Sequence, residues 1–284
     1  ELEIPPLAAL AQNTRPVSAA PGARHAMDPH ALHVWPRGGY MCIALPNVDG
    51  SFTVTLFMPN EGPCPSFAAL NDPGAAEHFF HEQFPDASAL IPHFREDFRA
   101  HPVGRLGTLY LDRWHLGGKA LLIGDASHAI VPFHGQGMNA GFEDATTLAA
   151  LLAEHGSATA FARFQDQRKP DADAIAAMAL ENYVEMRDAV TDPQFLLRRA
   201  LGQSLSGRAP EHFMSRYRMV SFTHLPYAYA WQRGRAQERL LEQLLHGRDS
   251  LDGLDLDAAV RILRTTLPPL PSGVHGIRDH ARTG

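Results

Sequence analysis

Only two cysteines, Cys42 and Cys64, occur in the 284 residues. A pair is too few for a secreted disulfide framework, so a reducing, cytoplasmic setting is expected. No run of eighteen apolar residues occurs, so no helical membrane span is expected. Neither sign of charge dominates. Twenty-five Lys and Arg against 31 Asp and Glu leave −6, spread without blocks, which argues against a nucleic-acid surface. The dinucleotide fingerprint G-x-G-x-x-G is missing. The chain opens on Glu1-Leu2-Glu3-Ile4, neither a Met start nor a signal peptide, and an N-terminal portion is expected to be missing.

What is present centres on residues 119–144. Ala120-Leu121-Leu122-Ile123, bounded by Gly118 and Gly124, reads as a short buried strand with Asp125 at its end. Pro132, Gly135, Gly137 and Gly141 then punctuate a turn, and a helical pattern starts near Asn139. Strand, acid, glycine turn and helix together let backbone N–H groups approach a ligand, with the positive helix end behind them. The spacing Gly135-x-Gly137-x-x-x-Gly141 is one residue longer than the dinucleotide fingerprint. A plain structural corner remains the alternative on this pattern alone.

Upstream, residues 5–30 read as an irregular lead-in rich in Pro, Ala and Gly. Ala31–Trp35, Tyr40–Leu45 and Ser51–Phe57 then read as three strands joined by the turns Pro36–Gly39 and Pro46–Gly50. Period two in the third puts Phe52, Val54 and Leu56 on one face and Thr53, Thr55 and Phe57 on the other. Such a meander could wall a pocket, or Ile43, Leu45 and Phe57 could be ordinary core. Short helices are expected near 74–83 and 87–99, and strand character returns over 104–112. His78, His81 and Glu82 share a helix face without a clear third ligand, so no metal site is expected. Beyond residue 144 the chain reads as helical: 146–152, 159–189 with Pro170 as a kink or junction, 194–205, 210–219, 231–245 and 255–263, before a polar tail from Pro268.

The string GDASHAIVPFHGQGMNAGFED resembles the second FAD-contacting motif of the flavin-dependent aromatic hydroxylases. The string HVWPRGGYMCIALPN, about eighty residues earlier, is similar to the substrate-side sheet of the kynurenine-hydroxylating branch of that family. The resemblance implies a mixed α/β (α+β) fold: a remnant of an FAD/NAD(P)-binding-like flavoprotein hydroxylase, with an antiparallel substrate sheet and a helical C-terminal region. Three parts are expected, a substrate-side sheet with short helices over 1–104, an FAD-contacting strand-turn-helix over 105–155 and the helical region over 156–284.

Carried over residue by residue, FAD contacts fall on Asp125, Gly137, Met138 and Asn139. Substrate contacts fall on Leu32, Ile43, Leu45, Thr55, Phe57, Pro132, Phe133, Gln136, Asn182 and Tyr217. No residue is expected to act as catalytic acid or base, His134 included. The family's chemistry uses NADPH, O₂ and a flavin C4a-hydroperoxide, and implies L-kynurenine as substrate, with the protein supplying position and dryness. The family's ADP-binding strand and helix, and its substrate-carboxylate anchors, have no counterpart here. This chain is therefore expected to need a missing N-terminal segment of the same protein, and alone to bind FAD weakly. Another ring substrate, or a non-catalytic binding remnant, stays open. A Ser127-His128 hydrolase is disfavoured, since no G-x-S-x-G elbow occurs.

Overall fold

The computed structural model describes residues 1–10, 22–188 and 192–271. Part of the expected lead-in loop, the end of the 159–189 helix and the tail beyond 271 lie outside the described residues. The chain divides into two units, residues 1–105 with 184–190, and residues 106–183 with 191–284.

The first unit is a four-stranded antiparallel sheet under short helices. Strands β2 (His33–Pro36), β3 (Met41–Pro46) and β4 (Phe52–Phe57) form the expected meander, with Ile43 opposite both Val34 and Thr55. Its far edge carries β1 (Leu2–Ile4), paired with β4, a strand that the sequence pattern does not predict. Phe52 and Val54 are fully buried beside Cys42 and Ala44, as the period of two requires.

Three helices supply the other half of that core: α1 (Pro73–Gln83), α2 (Pro85–Ser88) and α3 (Phe94–Ala100). Asp72 caps α1 by accepting from Ala75 N at 2.9 Å, and Pro73 fits its first turn. Phe80 packs tilted against Phe84 and Phe94 with centroids 4.9 and 5.1 Å apart. Burying each such ring contributes about 1.5–3 kcal/mol.

The second unit opens with a two-stranded ribbon, β5 (His115–Leu116) and β6 (Ala120–Leu121). Two expectations need correction here. The segment 104–112 forms no strand; its one ladder-like bond is Leu109 N–H to Ala129 O, 2.8 Å. The strand expected at Ala120–Ile123 is neither long nor buried, with Leu122 and Ile123 about 40 % exposed. The cause is common to both: among the described residues 104–112 has no strand to pair with and β6 has only the two-residue β5, so apolar composition finds little or no ladder to join.

Helices α4 (Asp125–His128), α5 (Gly137–Glu154) and α6 (Ser157–Arg187) follow. α6 passes Pro170 unbroken, so no junction forms there. Then come α7 (Pro193–Arg208), α8 (Arg216–Phe222), α9 (Tyr227–Leu244) and α10 (Leu256–Thr266). The helix expected at 210–219 is displaced. Ser215 Oγ accepts from Arg218 N and starts α8 only at Arg216. No helix among the described residues is long and apolar enough to cross a membrane.

Candidate functional site

Gly124 is the pivot of the turn. Its backbone (φ 57°, ψ −140°) lies where residues with a Cβ rarely go, and it brings the chain from β6 straight into α4, with Asp125 first in that helix. Gly124 N–H donates to Asp144 Oδ2 at 2.9 Å, twenty residues on in α5. The same carboxylate accepts from His128 Nε2 at 2.6 Å and Arg168 Nε at 2.8 Å. Arg168 also pairs with Glu143 at 2.8 Å and donates to Ala140 O at 3.3 Å. Asp144 is fully buried. Burial alone would raise its carboxyl pKa, but the hydrogen bonds from His128, Arg168 and Gly124 outweigh it and hold the pKa below the ordinary value. Burial likewise pushes Arg168 down first, and Asp144 and Glu143 more than restore it. This network ties both ends of the turn to α6.

Beyond α4, Pro132–His134 makes one 3₁₀ turn and Gly135 (φ 66°) reverses the chain. Gln136 then precedes α5. No side chain caps the first turn of α5, so its leading amides, Gly137, Met138 and Asn139, are free to meet a ligand. Gly137 and Met138 line an open hollow of about 620 Å³ together with Asp125, Pro132 and Phe142. Met138 and Phe142 are 70 % and 65 % exposed, unusual for such side chains. Asp125 is exposed, with no hydrogen-bond or ion-pair partner among the described residues. Acceptor-seeking amides, an unpaired carboxylate and apolar lips suit a flat apolar molecule that carries carbonyl and hydroxyl groups. The FAD expected at this turn has that chemistry.

The structure gathers part of the expected substrate set around the same turn. Asn182 Nδ2 donates to Phe133 O, and the Phe133 ring lies 4.5 Å from that of Tyr183. Tyr217 stacks on His134 at 5.9 Å. Gln136 is buried and bonds Asn139 and Tyr227. The remainder belongs to the sheet unit. Ile43, Leu45, Thr55 and Phe57 share the sheet face turned away from its core cluster. Leu45 is 46 % exposed on that face, so it is not ordinary core. Leu32, just before β2, is equally exposed.

The sequence reading missed four buried groups: His128, Asp144, Arg168 and Tyr227. Asp144 stood within the motif, yet nothing in one sequence points it at Gly124. His134 is also buried, with no partner for Nδ1 among the described residues. Burial first, then the nearby Arg216 charge, lowers its pKa, so it sits neutral.

Residues 87–183 match the family model described as FAD binding domain. The chain is 51 % identical over 276 residues to kynurenine 3-monooxygenase of Stenotrophomonas maltophilia (strain K279a). It is 50 % identical to the protein of that name from Xanthomonas axonopodis pv. citri (strain 306). Each match covers 97 % of this chain and 57 % of the relative, so the chain spans little more than half the length of the relatives it matches. A solved structure of 2-methyl-3-hydroxypyridine-5-carboxylic acid oxygenase is similar at a TM-score of 0.41 and 22 % identity, over 57 % of this chain and 43 % of that one.

Proposed function

We propose that this chain belongs to the kynurenine 3-monooxygenase family of flavin-dependent hydroxylases, whose named relatives it matches at 51 % and 50 % identity, and that the protein it forms part of hydroxylates L-kynurenine to 3-hydroxykynurenine, using FAD, NADPH and O₂. The observation that carries this reading is the turn itself: the uncapped start of α5, with Gly137 and Met138, and the unpaired Asp125 carboxylate around one hollow. Asp125 accepts from a hydroxyl of the cofactor's sugar-like chain, and the amides of Gly137, Met138 and Asn139 donate to the polar edge of its ring. On this reading the ADP half of FAD is held by residues other than those of this chain.

Bound FAD would supply the activated oxygen that the protein's own side chains lack, with NADPH as the source of electrons. These residues have three tasks. Pro132 and Phe133 offer apolar surface to the aromatic substrate, and Gln136 offers a polar contact to its ketone or amine. Asn182 and Tyr217 stand at the amino-acid end. Leu32, Ile43, Leu45, Thr55 and Phe57 supply the apolar wall that excludes water, an assignment supported for the last four by their place on the sheet face opposite the core cluster. The substrate's amino group already enriches its ring, so no strong protein base is needed, and buried neutral His134 is wall. Two free cysteines and the demand for NADPH agree with a cytoplasmic location.

The test is Asp125→Ala in the full-length protein. Loss of one hydrogen bond to a charged group, about 1.5–3 kcal/mol, weakens FAD binding by roughly 10- to 150-fold. Flavin fluorescence titration measures it, alongside 3-hydroxykynurenine formation. Unchanged FAD affinity, or faster turnover of a different aminoaryl ring, would overturn the reading.

A further inference from the structure

Gln136 directly precedes α5 and is 6 % exposed. Its Oε1 accepts from Asn139 Nδ2 at 2.9 Å and from Tyr227 Oη at 3.0 Å. An amide oxygen has two lone pairs, so this one is fully used. Among the described residues no acceptor serves Nε2, and that nitrogen is not among the sealed, unpartnered atoms.

We propose that Tyr227 is a specificity-determining positioning residue: its hydroxyl pins the Gln136 carboxamide so that only N–H donors face a bound molecule, which must then offer a carbonyl oxygen. The inference rests on the function proposed above and adds to it the residue that sets the direction of this hydrogen bond.

Tyr227 outranks Asn139 as the arbiter. Asn139 is a carboxamide and can rotate its own oxygen toward Gln136, so it tolerates either orientation. The Tyr227 hydroxyl is buried, and its proton finds no acceptor but Gln136 Oε1 among the described residues. Turning the Gln136 amide round would strand that proton, at a cost comparable with a lost buried hydrogen bond. Burial raises the phenol pKa to about 12, so the group keeps its proton throughout the physiological range.

The hydroxyl is also held still. Tyr227 is the first residue of α9 after Pro226, and Ala228 N–H donates to Asp171 Oδ1 of α6 at 2.8 Å. Its ring packs in the cluster of Ala140, Ile175 and Met178. Gly135 and Gly137, on either side of Gln136, line the hollow.

The carbonyl has two sources, the aryl ketone of the substrate or a ring carbonyl of the flavin. Tyr227→Phe in the full-length holoenzyme distinguishes them. Dissociation constants are measured for L-kynurenine and for its analogue with the ketone reduced to CH₂, and the flavin absorbance spectrum and midpoint potential without substrate. If the substrate ketone is the partner, the ketone preference, about tenfold or more in the wild type, falls toward one and the flavin signals stay put. If the flavin carbonyl is the partner, the spectrum and potential move and the preference holds. A folded Tyr227→Phe protein that changes neither overturns the proposal. Should that variant not fold, Gln136→Glu replaces the donors with an acceptor and keeps the Tyr227 bond. An unaltered ketone preference and flavin spectrum there likewise overturn it. A wild type that binds neither FAD nor kynurenine refutes the function instead, so the two failures are separable.

Discussion

The sheet unit and the helical unit solve burial by different means. Among the described residues ten polar or charged side chains are buried, and only Ser51 and Ser66 belong to the sheet unit. The other eight, from Ser127 to Gln237, belong to the helical unit. The sheet unit closes on aromatic rings and aliphatic side chains, whereas the glycine turn closes on a carboxylate, an imidazole and a guanidinium. An apolar core tolerates adjustment. A buried charge network has to be complete, because one missing partner leaves a desolvated charge. The turn thereby gains definition in the region where a ligand needs amides held in place.

The sharpest way to break this contrast is Arg168→Met. It leaves the buried Asp144 carboxylate without its cation. The expected loss is about 3–5 kcal/mol, read by chemical denaturation of the full-length protein, with FAD affinity falling in parallel as Gly124 loosens. A loss under about 1 kcal/mol would mean that the network is solvated after all. Phe80→Leu in the sheet unit is expected to cost less, roughly 1–2 kcal/mol, and to leave FAD affinity unchanged. A flavin effect of the same size from Phe80→Leu would erase the distinction between the two units.

The same contrast explains what could be read in advance. The meander was legible because Phe52, Val54 and Leu56 alternate with Thr53, Thr55 and Phe57, and because β3 lies only a short turn away; the pairing of β4 with distant β1 carried no such signal. The turn was legible because Asp125 and Gly135 to Asn139 are close in sequence and form their site locally. The network was hidden because Arg168 lies 24 residues from Asp144, and Tyr227 lies 91 from Gln136. Buried charges also run against every hydrophobic pattern. The ribbon misled for the opposite reason. Leu122 and Ile123 have strand composition, but a strand needs partners, and the described residues give β6 only β5.

Acid sharpens the comparison with a smaller effect. Burial, then Arg216, depresses the His134 pKa, so the unfolded chain takes up a proton there that the folded one refuses. The stability His134 contributes is complete above its unfolded pKa, about 6.5, and declines as pH falls through that value toward the folded one. Between pH 7.5 and 5.5 the wild type should lose stability faster than His134→Phe, which keeps a ring against Tyr217. Parallel melting curves across that interval would show that His134 is protonated in the fold.

Leu45→Ser is expected to have the smallest effect on stability and the most selective effect on function. Leu45 is half-exposed on the sheet face away from the core, so its loss changes stability by no more than about 0.5 kcal/mol. If that face is the dry wall of the substrate site, a hydroxyl there admits water, and NADPH oxidation ends more often in free hydrogen peroxide than in hydroxylated product. The ratio of 3-hydroxykynurenine formed to NADPH consumed reads this directly. A position that barely matters to the fold but controls that ratio would assign the outer sheet face to the reaction. An unchanged ratio would leave Leu45 without a part in the reaction and would withdraw the role given to buried Ile43 and to Phe57.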